Sequence, residues 1–258
     1  MKKILQKIIG LFGYKIIKEK PAASKIVNVD REYLEILDEN PDLFDISQRA
    51  NPKLYTTYCA VKYVVKNDIK GSFVECGVYK GRMVAMMALT LLKFGCTDRK
   101  IYMFDTFSGM TGISEFDYKP NREGYSFEYN LNRQSEMQRG EINLRCYSSK
   151  DMVFDYIKKT KYPANMFIAV EGDVLQTLPY KEIKGISFLR LDTDWYKSTK
   201  HELECLYPLL VKGGVFSQDD YGSWAGAKKA VDEFFSTQEM SPVLFRVGDS
   251  EVATLKLD

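Results

Sequence analysis

The chain has 258 residues, 45% of them hydrophobic, which is enough for one large domain with an added N-terminal segment. Its 37 basic and 35 acidic residues leave a net charge of +2, so composition gives no general electrostatic case for nucleic-acid binding. The single histidine, His201, argues against Ser-His-Asp catalysis and against a metal site built from several histidines.

Residues 1–30 differ in composition and residue pattern from the rest of the chain. The stretch "MKKILQKIIGLFGYKIIKEK" is basic and carries isoleucine and leucine at helical spacing, and a linker follows it. It lacks the long apolar core and the cleavage site of a signal peptide, and no stretch of the chain approaches the ~20 apolar residues of a membrane span. Two interpretations stay open: a helix packed on the domain or a second subunit, and a helix on an anionic membrane surface. We therefore predict a single domain over residues 31–258.

The five cysteines are scattered and include no CxxC pair, which indicates free thiols in a reducing compartment. We therefore expect a cytoplasmic protein, with the N-terminal segment as its one candidate contact with the inner face of the membrane.

The predicted elements alternate along the chain. A mainly helical region runs over 33–67, and capping-box spacing marks two later helix starts, Ser148 with Asp151 and Thr199 with Glu202. The predicted strands cover 71–77, 99–105, 165–173, 185–192 and 213–220, the helices between and after them cover 81–94, 148–160, 199–210 and 225–235, and a hairpin covers 243–257. Strands that alternate with helices predict an α/β fold, in which a mostly parallel sheet has helices on both faces and the hairpin adds antiparallel edge strands.

Acidic residues follow most of the predicted strands. They are Glu75, Asp105, Asp173, the pair Asp192 and Asp194, and the pair Asp219 and Asp220. In open α/β sheets, ligands bind at the carboxyl ends of the strands. We therefore expect a binding site along this edge. The segment 106–147 is long, polar and weakly periodic, and we interpret it as a lid over that site rather than as a disordered loop.

The first strand ends in a glycine-bearing turn, "VECGVYKG", in which Gly77 and Gly81 let the backbone approach a ligand. Its spacing differs from the GxGxxG of dinucleotide-binding folds, and Glu75 would repel a pyrophosphate but suits a cationic ligand. Asp105 comes one βαβ unit later, where a carboxylate can accept both ribose hydroxyls of a nucleoside. A tight strand–helix turn without a ligand is the alternative.

Asp192 and Asp219 are also about one βαβ unit apart, so their strands should be neighbours, ~4.8 Å apart. Carboxylates that close repel each other unless a cation lies between them. Oxygen ligands favour Mg²⁺ or a similar hard ion over zinc. Helix capping by aspartate is the alternative, and it would explain one or two of these four acids.

The motifs "FVECGVYKG", "FDTFSGM", "GDVLQTLP", "LRLDTDWYKSTK", "GGVFSQDDYG" and "GAKKAVDEF" together resemble the macrocin O-methyltransferase family over about residues 70–235. The resemblance implies a Rossmann-like class I methyltransferase fold with a seven-stranded sheet. It also implies that S-adenosylmethionine and a divalent metal serve the methylation of a sugar hydroxyl. Two features depart from the family: "FDTFSGM" replaces a more acidic run, and the lid has its own sequence.

The resemblance implies site roles at matching positions of this chain. Asp194 becomes the candidate general base. The candidate metal ligands are Asp192, Asp219 and Asp220. The candidate cofactor-binding residues are Glu75, Gly77, Val78, Tyr79, Gly81, Asp105, Thr106 and Asp173.

The resulting hypothesis is an S-adenosylmethionine- and Mg²⁺-dependent O-methyltransferase acting on a sugar, free or nucleotide-linked, for a bacterial surface polysaccharide. We expect a homo-oligomer that does not bind nucleic acid. A catechol-type O-methyltransferase would share the metal chemistry but would need an apolar slot for a planar phenol. A catalytically silent scaffold that binds S-adenosylmethionine is a third possibility, and retention of all four acids argues against it.

Overall fold

The computed structural model describes residues 29–120 and 125–257. The predicted N-terminal amphipathic segment, apart from its last two residues, lies outside this range. The helices are α1 (Arg31–Glu39), α2 (Pro52–Lys66), α3 (Arg82–Lys93), α4 (Phe127–Met137), α5 (Lys150–Ile157), α6 (Val174–Thr177), α7 (Tyr196–Leu206) and α8 (Ala225–Ser236). The strands are β1 (Ser72–Cys76), β2 (Ile101–Asp105), β3 (Gln138–Arg139), β4 (Ile142–Asn143), β5 (Phe167–Glu171), β6 (Ile186–Leu191), β7 (Leu210–Gln218), β8 (Phe245–Val247) and β9 (Glu251–Leu255).

Seven of these strands form one sheet in the order β5-β2-β1-β6-β7-β9-β8. The pairs from β5 through β7 are parallel, and β9 pairs antiparallel with both β7 and β8. The predicted fold class, a seven-stranded and mostly parallel sheet with a C-terminal antiparallel hairpin, is confirmed.

Helices cover both faces of the sheet, which explains why the central strands are continuous apolar runs. All six residues of β6 are buried. One core cluster joins α2, α3 and α5 to one face, and a second joins α7 and α8 to the other. Strand order reverses between β1 and β6, and in doubly wound sheets this is where a ligand crevice opens.

Both predicted capping boxes are wrong. The N-cap of α5 is Ser149 rather than Ser148, and its hydroxyl accepts a hydrogen bond from the Met152 N–H at 3.3 Å. Helix α7 begins three residues before Thr199, which places Thr199 and Glu202 inside the helix. The N-terminus of α7 is instead capped from a distant segment, because the Tyr196 N–H donates to the Asp117 carboxylate at 2.8 Å. Sequence spacing carries no signal for such a long-range cap.

The segment predicted as a lid, 106–147, contains α4 and the β3–β4 ribbon, so it has more regular structure than its weak periodicity indicated. Its ends lie together, since the Asn143 N–H donates to the Ser108 carbonyl at 2.7 Å. A Cβ on Gly109, which has φ +96°, would lie 1.7 Å from the Asn143 carbonyl oxygen, so this crossing requires glycine. The segment also contacts α8, where the Ala225 N–H donates to the Tyr118 carbonyl at 2.9 Å.

Candidate active site

A cavity of about 150 Å³ opens at the carboxyl ends of β1, β2, β5 and β6. The predicted lid closes one side of it with Gly109, Met110, Thr111 and Cys146. Five of the eight predicted cofactor-binding residues lie in its wall: Gly77, Tyr79, Asp105, Thr106 and Asp173. Asp192 and Asp194 also line it, so the cavity and the acidic residues belong to one site.

The backbone of the turn after β1 packs closely against the backbone at the end of β6. Gly77 has φ +82°, and a Cβ there would lie 2.0 Å from the Asp192 carbonyl oxygen. The Asp192 N–H in turn donates to the Cys76 carbonyl at 2.8 Å. Glycine at position 77 therefore fixes the distance between the floor of the cavity and Asp192.

Asp105 shapes the same turn from the neighbouring strand. One carboxylate oxygen accepts the N–H groups of Val78 and Tyr79 at 2.7 and 2.9 Å, and the other accepts the Phe107 N–H at 2.8 Å. Burial raises the pKa of Asp105, and these three bonds act in the opposite direction. Asp173 has a comparable position at the N-terminus of α6, where it accepts the Leu175 N–H at 2.9 Å.

Three predicted cofactor contacts lie outside the cavity wall. Glu75 is 1% exposed, and its carboxylate accepts a hydrogen bond from Arg190 at 2.8 Å beneath the turn. Val78 packs in the core. Gly81 faces α5, where a Cβ would lie 2.9 Å from Ile157. In this structure these residues support the turn and the charge network, and their role in cofactor binding stays a prediction.

The three predicted metal ligands do converge. Oxygens of Asp192, Asp219 and Asp220 lie within 4.8 Å of one another. They meet because β6 and β7 are adjacent and parallel, with Leu191 opposite Gln218. Burial raises the pKa of Asp192 and of Asp220 well above the usual range, and repulsion between the neighbouring acids adds to that rise.

Two cations that the sequence analysis missed hold this cluster. Arg190 on β6 is fully buried and pairs with Glu75, with Asp192 at 2.6 Å and with Asp219. Lys53, in the first turn of α2, pairs with the other oxygen of Asp219. The position of Arg190 between two leucines in "FLRLD" is the one local indication in the sequence that this arginine lies in a buried strand. Lys53 lies 166 positions from its partner and gives no local signal.

The cluster has the composition of a site for a hard divalent cation. All its donors are carboxylate oxygens, which Mg²⁺ and similar ions prefer. Glu75, Asp192, Asp219 and Asp220 meet only two cations among the described ion pairs, so the network has two more carboxylates than cations. A divalent ion would remove that excess and relieve the repulsion that raises the pKa values. The residues present therefore fit the implied metal.

Asp194 follows the cluster at a bend with φ +65°. Its N–H donates to the Asp220 carboxylate at 3.0 Å, so the predicted general base is hydrogen-bonded to a predicted metal ligand. Burial raises the pKa of Asp194, whereas a hydrogen bond with Asp220 and the nearby Arg145 charge lower it. Arg145, another residue missed from sequence, belongs to the predicted lid, and its guanidinium lies 5.1 Å from the Trp195 ring centroid.

The sheet order, the glycine turn after β1, the acid at the end of β2 and the cavity above them define a class I methyltransferase fold. The sequence model described as macrocin-O-methyltransferase (TylF) matches residues 50–254. The chain belongs to this family, as the motif resemblance predicted.

Named relatives support this assignment. The chain is 27% identical over 187 residues to demethyldecarbamoylnovobiocin O-methyltransferase of Streptomyces niveus, covering 72% of this chain and 66% of that protein. It is 29% identical over 164 residues to 8-demethyl-8-(2,3-dimethoxy-alpha-L-rhamnosyl)-tetracenomycin-C 4'-O-methyltransferase of Streptomyces olivaceus, covering 64% of this chain and 58% of that protein. The solved structure of the O-methyltransferase NovP aligns with a TM-score of 0.69 at 25% identity over 80% of each chain. The match thus spans about three-fifths to two-thirds of the length of these curated relatives.

Within residues 29–120 and 125–257, no helix combines the length and the apolar character needed to cross a membrane. Homo-oligomerisation and a membrane contact through the N-terminal segment stay predictions.

Proposed function

We propose that this protein transfers a methyl group from S-adenosylmethionine to a sugar hydroxyl with the help of a divalent cation. The observation that carries the proposal is the position of Asp192 and Asp194. Both line the cavity at the glycine turn, and Asp192 also belongs to the three-carboxylate cluster. One edge of the sheet therefore combines a ligand cavity, a carboxylate cluster suited to a cation and a candidate base, the groups that methylation of a weakly acidic hydroxyl would use.

The cavity wall supplies the contacts for the cofactor. Asp105 has about four lone-pair sites, of which the backbone N–H groups use three, and the remaining one can accept a ribose hydroxyl. Gly77 and Tyr79 can present backbone to the ligand, and Asp173, which also lines the cavity, provides a carboxylate acceptor. The excess negative charge nearby suits a sulfonium ligand and disfavours a pyrophosphate.

The cation would be held by Asp192, Asp219 and Asp220, and Mg²⁺ is the ion that this set of oxygen ligands favours. When bound, the ion supplies Lewis acidity that lowers the pKa of a coordinated hydroxyl, and the cofactor supplies the electrophilic methyl group. Arg190 holds Asp192 and Asp219 in place through a fully buried guanidinium, so the ligand geometry is set before any ligand enters.

Asp194 would take the proton from the attacking hydroxyl. It is partly exposed at the cavity wall, and its N–H bond to Asp220 places it beside the cation ligands without making it one of them. Burial raises the pKa of Asp194 from that of an ordinary aspartate, which makes it a stronger base, while Arg145 and Asp220 keep the ionised form accessible. Base catalysis of this type contributes ~10²–10⁴-fold in rate.

A sugar is the proposed acceptor because the chain belongs to the macrocin-O-methyltransferase family and because one relative's name specifies a rhamnosyl-bearing compound. The predicted lid, which is polar and tyrosine-bearing, suits a hydroxylated ring better than a planar phenol. A nucleotide-linked sugar for a surface polysaccharide remains our more specific proposal.

The proposal is tested by following S-adenosylhomocysteine release while a panel of free sugars, nucleotide-linked sugars and catechols is offered with S-adenosylmethionine. We expect turnover with a sugar, loss of turnover in EDTA, and recovery with Mg²⁺. Asp194→Asn should lower kcat by ~10²–10⁴-fold and leave S-adenosylhomocysteine affinity unchanged. Turnover with catechols alone would replace the acceptor, and full activity in EDTA would remove the cation from the proposal.

A further inference from the structure

Asp219 is the one member of the acidic cluster with both carboxylate oxygens engaged by cations. Oδ1 accepts from the Arg190 guanidinium and Oδ2 accepts from the Lys53 ammonium. The other two acids differ from it: Asp192 pairs with Arg190 alone, and Asp220 has no ion pair among the described residues. A divalent ion at the cluster must therefore share Asp219 with two positive charges already there.

The two cations are held very differently. The Arg190 side chain is 1% exposed and also binds Glu75 and Asp192, so it is a fixed part of β6. The Lys53 side chain is 29% exposed and reaches the cluster from the first turn of α2, outside the sheet. Among residues 29–120 and 125–257, its one ion pair is with Asp219. A lysine ammonium on a flexible four-carbon stem can move from such a position into solvent, whereas a buried arginine with three carboxylate partners cannot.

We propose that the Lys53 ammonium is a built-in counter-cation of the acidic cluster that competes with the divalent ion for Asp219. This inference rests on the proposed function, since it requires the cluster to bind the ion. In the ion-free protein, Lys53 offsets part of the repulsion among the clustered acids. When the ion is bound, two like charges face one carboxylate, so Lys53 lowers the affinity of the site for the ion.

A competing Lys53 and a purely structural Lys53 would have opposite effects on binding of the ion. If Lys53 only positioned Asp219, its removal would weaken binding of the ion. If it competes, removing its charge should tighten binding. We expect Lys53→Met to lower the Kd for Mn²⁺, measured by calorimetry with the ion alone, at least about tenfold. Lys53→Arg keeps the charge and should bind Mn²⁺ much as the wild type does.

Lys62 provides a matched control on the same helix. It also forms ion pairs, with Asp30 at 2.6 Å and with Glu32 at 3.7 Å, but these lie away from the acidic cluster. Lys62→Met should leave the Kd for Mn²⁺ within about twofold of the wild type, because nine residues of α2, or ~13 Å of helix rise, separate Lys62 from Lys53, which exceeds the Debye length of about 8–10 Å. A Mn²⁺ affinity that rose equally in both variants would point to net charge alone and would overturn the inference.

Thermal unfolding gives a second readout that does not depend on catalysis. In EDTA, Lys53→Met should melt below the wild type, because the clustered acids lose a counter-charge, and added Mn²⁺ should raise its Tm by more than that of the wild type. Lys53→Gln, which removes the charge but keeps a hydrogen-bond donor, carries the same expectations if the methionine variant does not fold.

The outcomes separate this inference from the function it rests on. Mn²⁺ binding by the wild type with unchanged or weaker binding by Lys53→Met overturns the inference and leaves the cation site standing. Binding by the variant alone supports the inference in its strongest form. Absence of binding in both proteins overturns the cation site and the inference together.

Discussion

Asp105→Asn tests whether one carboxylate builds the cofactor cavity. The change keeps the size of the side chain but replaces one acceptor oxygen with an NH₂ group, which cannot accept a hydrogen bond. Three backbone N–H groups at 2.7–2.9 Å currently point at the two oxygens of Asp105. The asparagine oxygen can serve Val78 and Tyr79 or it can serve Phe107, but it cannot serve both sides.

The size of the effect follows from these contacts. A hydrogen bond to a charged group contributes about 1.5–3 kcal/mol, so at least that much is lost where an N–H faces the NH₂ group. The remaining bonds become neutral and weaken by about half. Relief of the buried charge offsets part of the loss, since burial raises the pKa of Asp105. A net weakening of the turn by about 1–2 kcal/mol remains, and the charged ribose acceptor is lost as well.

We therefore expect the Kd for S-adenosylhomocysteine, measured by calorimetry, to rise at least about tenfold in Asp105→Asn, which corresponds to ~1.4 kcal/mol. Asp98→Asn is the control, because Asp98 is exposed and its one side-chain hydrogen bond within the described part of the chain is a weak one from the Cys96 thiol, at 3.4 Å. A Kd within about twofold of the wild type in Asp105→Asn would refute the reasoning, since the lost bonds would then not shape the cavity.

Three further substitutions probe other parts of the account. Gly77→Ala places a Cβ 2.0 Å from the Asp192 carbonyl oxygen, so calorimetry should show loss of both S-adenosylhomocysteine and Mn²⁺ binding, and retention of both would contradict the tight crossing. Asp117→Ala removes the cap that joins the predicted lid to α7, so the KM for the acceptor should rise while S-adenosylhomocysteine affinity stays constant; an unchanged KM would mean that the segment does not cover the acceptor. Burial raises the pKa of Glu202 from 4.5 to about 8, so the stability that its bound proton contributes is complete below pH 4.5 and is lost as the pH rises through 8. Urea denaturation at pH 6 and pH 9 should therefore show that the free energy of unfolding of Glu202→Gln rises relative to that of the wild type at the higher pH, by up to about 1.4 kcal/mol per pH unit. Equal pH dependence of the two proteins would exclude a buried proton on Glu202.

The fold could be predicted because its signals are local. Short apolar runs between glycines gave the parallel strands, and chain order with right-handed crossovers then determines which strands are neighbours. The same logic brought Asp192, Asp219 and Asp220 together, since they follow adjacent strands of one sheet. Asp105 and Gly77 line the cavity for the same reason.

The contacts that sequence reasoning missed are those that cross between distant elements. Lys53 meets Asp219 only after α2 packs beside β7, and Asp117 caps α7 from the segment before α4. No periodicity or spacing encodes such pairs. Glu75 is a further contact of this kind: it lies at the end of β1, and its carboxylate accepts a hydrogen bond from the buried Arg190, a partner that the sequence did not indicate. Direction of a side chain depends on partners that only the folded chain provides.

A crystal structure of the protein with S-adenosylhomocysteine and Mn²⁺, with anomalous data collected at the manganese edge, tests the central claim most directly. We expect one strong anomalous peak for a manganese ion that is coordinated by oxygens of Asp192, Asp219 and Asp220 at about 2.0–2.6 Å. A cofactor should lie beside it in the cavity that Gly77 lines. A cofactor in that cavity without a manganese peak at the three carboxylates, or a peak elsewhere on the chain, would contradict this claim.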